Sequence, residues 1–305
     1  MKKRSGIGLF SDAGATARGR CRALAPYDPL GMTETHVSAG DGTRLAVTVL
    51  GEGPPLLLIP GLGATRVVFE PLAPLLALHR RVIVYDQRGI GGSELTEGPY
   101  TTEQLGDDAA AVLDGLGVAR AAVLGASFGG MVAQQLAIRH PERVETLILA
   151  ATGPGSSHLA QQPDSAATDA LLGKGARTPE DAYRIACTVL YSRRFQEEHP
   201  EVIDAQVRDR AQRPIAARAF QAQLAASRGH DVWELLPSIG AATLVMHGSE
   251  DAVMPVANAR LLAERIPGAL LEVLDGAGHL FFHEQPERTA DAVLAFTAGR
   301  DRDLA

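Results

Sequence analysis

The sequence predicts an α/β fold: a doubly wound, mostly parallel sheet interrupted by a helical insertion. Three observations predict it. Short apolar runs such as Leu56 to Ile59 alternate with segments of helical spacing, the order that winds a parallel sheet with helices on both faces. Several of these runs are apolar throughout, as strands buried on both faces are. The alternation stops near Gly153 and resumes at Ala242, with a polar, helical stretch between.

In chain order, residues 1–31 carry Gly, Ala, Arg and Ser without a period of 2 or 3.6 and close on Pro26 and Pro29, which predicts a flexible leader. Strands are expected at Arg44 to Leu50, Pro55 to Pro60, Arg81 to Asp86, Ala119 to Gly125 and Arg143 to Ala150. Helical spacing covers Val67 to Leu78, Thr102 to Leu116 and Ser127 to His140. Pro179-Glu180-Asp181-Ala182 reads as a helix start inside the insertion, residues 155–237. A strand at Ala242 to His247, a helix from Pro255 to Ile266, a strand at Ala269 to Leu274 and a helix from Gln285 to Ala298 complete a core of residues 32–154 and 238–300.

Composition excludes several classes of function. The chain is 46% hydrophobic and 21% charged, the balance of a globular domain rather than of a disordered or collagen-like one. No apolar run approaches the roughly 20 residues that span a bilayer. The net charge is −7, and residues 1–30 hold six basic against two acidic residues, so the body carries −11 and repels a phosphate backbone. Neither nucleic acid nor membrane is an expected partner. Cys21 and Cys187 lack C-x-x-C spacing and read as thiols of a reducing cytoplasm, and no H-E-x-x-H or similar ligand spacing occurs. No metal and no cofactor are expected.

The chemistry sits at the ends of strands. Gly125-Ala126-Ser127-Phe128-Gly129-Gly130 joins an apolar strand to a helix, the context of a nucleophile elbow that lifts a serine hydroxyl clear of the sheet. A hydroxyl is a poor nucleophile until a base takes its proton, so the elbow predicts a histidine and an orienting acid further on. Asp251 follows one later strand and His279 the next, which brings three distant residues to one sheet edge. Glu250 is the competing acid. Asp275 reads as a turn residue, Asp86 as a structural loop acid, and His247 and His140 as packing or capping groups. Pro60-Gly61-Leu62-Gly63 supplies a loop whose Leu62 N–H, with that of Phe128, would hold an oxyanion.

These residues, together with Asp86-Gln87-Arg88-Gly89-Ile90-Gly91-Gly92-Ser93, resemble the α/β-hydrolase-fold family over about residues 34–298. Members commonly have His-Gly where this chain has Pro60-Gly61. Serine at the elbow argues against the epoxide hydrolases and haloalkane dehalogenases, which the resemblance would give an aspartate there. The stretches Leu62-Gly63-Ala64-Thr65 and Gly278-His279-Leu280-Phe281 are similar to 3-oxoadipate enol-lactonases. The resemblance implies a serine hydrolase that cleaves a small carboxylic ester or lactone through an acyl-enzyme, with residues 155–237 as a helical cap. A carbon–carbon bond hydrolase of the same fold and a non-catalytic ligand-binding protein are the alternatives. In the cap, Arg193 or Arg194 is the expected grip on a substrate carboxylate, weighed against a solvated surface pair.

Overall fold

The computed structural model describes residues 31–301; apart from Gly31, the expected leader lies outside the described residues, as does Cys21. Strand β1 (Thr33–Ser38) pairs antiparallel with β2 (Arg44–Leu50), and then come β3 (Pro55–Ile59), α1 (Ala73–Ala77), β4 (Arg81–Tyr85), α2 (Thr102–Gly115), β5 (Ala121–Ala126), α3 (Phe128–Arg139) and β6 (Val144–Ala150). The chain next runs through α4 (Ser165–Leu171), α5 (Pro179–Leu190), α6 (Arg193–Glu198), α7 (Pro200–Gln212) and α8 (Ala217–Gly229). It returns to the sheet as β7 (Ala242–Gly248), α9 (Ala257–Arg265) and β8 (Leu270–Leu274), and closes with α10 (Phe281–Glu284) and α11 (Pro286–Asp301).

The eight strands form one sheet in the order β1-β2-β4-β3-β5-β6-β7-β8, antiparallel at the β1–β2 and β2–β4 pairs and parallel elsewhere. Side chains alternate across a strand, so each strand feeds two cores. Leu57, Ile59, Val123, Leu147 and Leu149 pack on one face with Leu105, Leu113, Val132 and Leu136 of α2 and α3. Leu56, Leu58, Leu124 and Ile148 pack on the other with Leu76 of α1 and Val293 of α11. Burial on both faces is why β3 and β5 carry no polar residue to mark an outside, and why β6 has its polar residues, Glu145 and Thr146, only near its start.

Two elements differ from expectation. Strand β1 was not foreseen, because only Val37 of its six residues is buried and an edge strand so exposed shows no apolar period. The stretch expected to be one helix, Val67 to Leu78, is a 3₁₀ turn at Arg66–Phe69 followed by the five-residue α1. Pro71 and Pro74 lack the N–H groups that a continuous helix would need there.

Candidate active site

The sheet order places the C-terminal ends of β3, β5, β7 and β8 along one edge, and each leads into a loop that carries one of the expected residues. At the end of β5 the backbone turns so sharply that Ser127 sits at φ 55° and ψ −119°, in the left-handed region that costs an L-residue energy. The flanking glycines permit the turn. A Cβ on Gly129 would lie 2.5 Å from the Pro60 carbonyl oxygen, and one on Gly130 would lie 2.6 Å from the Thr152 side chain. Ser127 donates its N–H to the Ala150 carbonyl at 2.8 Å, and its own carbonyl accepts from Gly130 N–H at 2.8 Å. Its side chain therefore stands at the N-terminus of α3, where the first N–H groups have no helical acceptor.

The loop after β3 passes against this turn. A Cβ on Gly61 would lie 3.3 Å from the Ala126 carbonyl oxygen, 3.4 Å from Ser127 Cβ and 3.9 Å from Ser127 Oγ, so the loop lies in close contact with the turn at Ser127. Leu62 and Phe128 line the cavity beside Ser127, and neither N–H is bonded to another group among the described residues. Gln87 holds the near side of the loop through its Nε2, which donates to the Pro60 carbonyl at 2.7 Å.

Asp251 and His279 meet in a buried hydrogen bond, Nδ1 to Oδ2 at 2.8 Å. The carboxylate is fully enclosed. Its other oxygen accepts the Val253 and Met254 N–H groups at 2.9 and 2.8 Å, and His247 Nε2 approaches Oδ2 at 3.1 Å. Burial alone would raise the Asp251 pKa, but the attraction of His279 and the bonds from His247 and His279 outweigh it and hold the carboxyl well below the usual carboxylate range. An ionised Asp251 fixes the proton of His279 on Nδ1 and leaves Nε2 as a lone-pair acceptor. Glu250 is exposed, its N–H spent on the Ala277 carbonyl. Asp275 accepts a long bond of 3.4 Å from Ser249, and Asp86 binds Arg66 and the Gly92 N–H, which orders the loop after β4.

Ser127 and His279 open onto one cavity of about 470 Å³, within the roughly 300–1,000 Å³ range of small-molecule sites. Its wall is mostly apolar, with Met131, Leu159, Leu171, Leu190, Phe220 and Leu224 among the residues that form it. The region between β6 and β7 provides much of that wall. Arg193 and Arg194 are not brought to it. They lie on α6 with side chains 90% and 79% exposed, each paired four residues on with Glu197 or Glu198, as helical spacing favours. Arg210, on α7, lines the cavity together with Arg213 and Arg228, and its guanidinium lies over the Tyr183 ring at 5.5 Å. Gln223 was not expected at the site, and His247 was expected only in a packing or capping role. His247 stands four residues before Asp251, a spacing that was visible, whereas nothing in the sequence tied Arg210 or Gln223 to the site.

No helix among the described residues is long and apolar enough to cross a membrane, and no group of three or more metal-ligating side chains occurs among them. A family model described as alpha/beta hydrolase fold matches residues 54–286. A poly(3-hydroxyalkanoate) depolymerase of Ectopseudomonas oleovorans is 34% identical over 242 residues, 79% of this chain and 83% of that one. A 3-oxoadipate enol-lactonase of Acinetobacter baylyi is 35% identical over 214 residues, 70% of this chain and 77% of that one. The crystal structure of an enol-lactonase from Burkholderia xenovorans superposes with a TM-score of 0.76 at 28% identity, covering 87% of this chain and all of that one.

Proposed function

The chain belongs to the alpha/beta hydrolase fold family, and from that premise we propose that it is a serine hydrolase cleaving carboxylic esters or lactones of hydrophobic acids. The observation that carries the reading is the Asp251–His279 hydrogen bond at the cavity into which Ser127 is thrust by its left-handed backbone. The named activities of the relatives agree with it, since a poly(3-hydroxyalkanoate) is a polyester and an enol-lactone a cyclic ester.

In this reading Ser127 Oγ attacks the carbonyl carbon while His279 Nε2 takes its proton. The charge that develops on the carbonyl oxygen is met by the Leu62 and Phe128 N–H groups, and Asp251 stabilises the imidazolium. Collapse of the adduct expels the alcohol, protonated by His279, and leaves Ser127 acylated. Water then attacks with His279 as base and releases the acid. The apolar wall supports an acyl group rich in methylenes as the part enclosed.

A panel of p-nitrophenyl esters of graded acyl length, run beside simple lactones, tests this. Specificity, kcat/KM, should rise about fourfold per added methylene until the cavity is filled, from about 0.8 kcal/mol for each CH₂ buried, and Ser127→Ala should abolish turnover. Absence of turnover on every ester and lactone would move the reading to carbon–carbon bond hydrolysis or to ligand binding without catalysis.

A further inference from the structure

The loop Pro60–Ala64 carries the Leu62 N–H, and at Gly63 it is bonded to the helices between β6 and β7. Gln223 of α8 accepts the Gly63 N–H on Oε1 at 2.8 Å. Arg210 of α7 donates from Nη1 to the Gly63 carbonyl. Gly63 itself has φ +60°, and a Cβ there would meet the Phe220 ring at 2.9 and 3.1 Å, so α8 is packed on the turn as well as bonded to it. Both polar backbone groups of the residue after Leu62 thus belong to partners 160 and 147 residues away.

We infer that Arg210 and Gln223 are positioning residues that aim the Leu62 N–H, so that the oxyanion hole is complete only with α7 and α8 docked on the loop. The inference rests on the serine-hydrolase reading. Two features of these side chains fit a positional role better than a stabilising one. Gln223 is fully buried, and because Gly63 donates to it, only its oxygen can face the loop, which leaves Nε2 buried with no partner among the described residues. Arg210 makes no ion pair among the described residues, and burial draws its pKa down, against the opposing pull of Tyr183 and Asp209. An apolar side chain would avoid both penalties but could not hold Gly63.

The test compares Gln223→Met, Gln223→Glu and Arg210→Met with the wild type in kcat, in KM, in inhibition by an alkylboronic acid and in binding of the carboxylate product. A boronate bound to serine places an oxygen in the oxyanion hole, as the tetrahedral adduct does, while the product probes the chamber. Loss of aim should lower kcat about 10- to 100-fold in Gln223→Met and Arg210→Met, with KM within about threefold. Boronate inhibition should weaken in step with kcat, and product binding should stay as it was. Gln223→Glu keeps an acceptor for the Gly63 N–H and should return to within about threefold of the wild-type kcat. Should Gln223→Met not fold, Arg210→Met decides alone, because Arg210 is only half-buried. Unchanged kcat in Arg210→Met, or a raised KM at unchanged kcat, would make it a bystander or a substrate contact and overturn the inference. A wild type that turns over neither esters nor lactones and does not bind the boronate would overturn both the inference and the reading beneath it.

Discussion

Adding one methyl group at Gly129 would separate Ser127 from the loop after β3, and the structure sets the size of the effect. A Cβ there would lie 2.5 Å from the Pro60 carbonyl oxygen and 2.7 Å from the Ile59 carbonyl carbon, where ordinary contact begins near 3.4 Å. Both atoms belong to backbone at the end of β3 and cannot rotate away. Helix α3 must therefore shift from β3 by about 1 Å, and Ser127, at the start of α3, is displaced from Leu62 by a similar amount. Overpacking of this kind costs about 1–3 kcal/mol, of which the better helix propensity of alanine returns up to about 1. A net loss of about 1–2 kcal/mol corresponds to a fall in Tm of roughly 2–8 °C for a domain this large. Activity should suffer more, because a misplacement of about 1 Å is worth on the order of 100-fold. The assay is kcat on a p-nitrophenyl ester well below Tm, beside a melting curve, with Gly240→Ala as control since nothing lies within 4 Å of its added Cβ. Wild-type kcat in Gly129→Ala would refute the claim that close packing of the elbow on the β3 loop sets the catalytic distance.

Asp251→Asn should lower kcat by about 10⁴-fold while Glu250→Gln leaves it unchanged, measured on the same ester; all four groups facing Asp251 are donors, so an amide must turn its NH₂ toward a histidine or toward the backbone. The reverse ranking would make Glu250 the acid. Arg193→Met and Arg194→Met should leave KM unchanged for acidic and neutral esters alike, because both side chains are spent on exposed pairs; a KM raised for acidic esters alone would contradict this. His283 is pushed down to about 4 by burial, against the opposing Val68 carbonyl. An unfolded chain protonates its histidines near 6.5, so between about 6.5 and 4 it binds more protons than the native state and stability falls as the pH drops, by on the order of 3 kcal/mol in full. The slope of Tm against pH in this window should be shallower in His283→Gln, and equal slopes would show that His283 does not titrate there.

The parts of the site legible in the sequence are those whose chemistry is local. The elbow glycines are needed within a few residues of Ser127, and Asp251 and His279 each follow an apolar run that ends at the same sheet edge. The α5 start at Pro179 was legible for the same reason, since Thr178 caps it through the Asp181 N–H at 3.0 Å. What was not legible acts across the chain. Arg210 and Gln223 reach Gly63 over 147 and 160 residues, and no spacing links them to the loop they hold. Arg193 and Arg194 drew attention as paired cations in a segment of balanced charge, but only coordinates show that helix α6 turns them to solvent. In the case of His247, strand-end position suggested packing. Its role at Asp251 depends on the turn by which Val253 and Met254 N–H groups fold the carboxylate back over the strand.

Whether Ser127 carries the acyl group is read out by mass spectrometry of enzyme quenched in acid during turnover of a p-nitrophenyl ester. A mass increase equal to the acyl group is expected on the peptide that contains Ser127, and none on the same peptide from Ser127→Ala. An unmodified Ser127 peptide, with Ser127→Ala still turning over the ester at the wild-type rate, would contradict it.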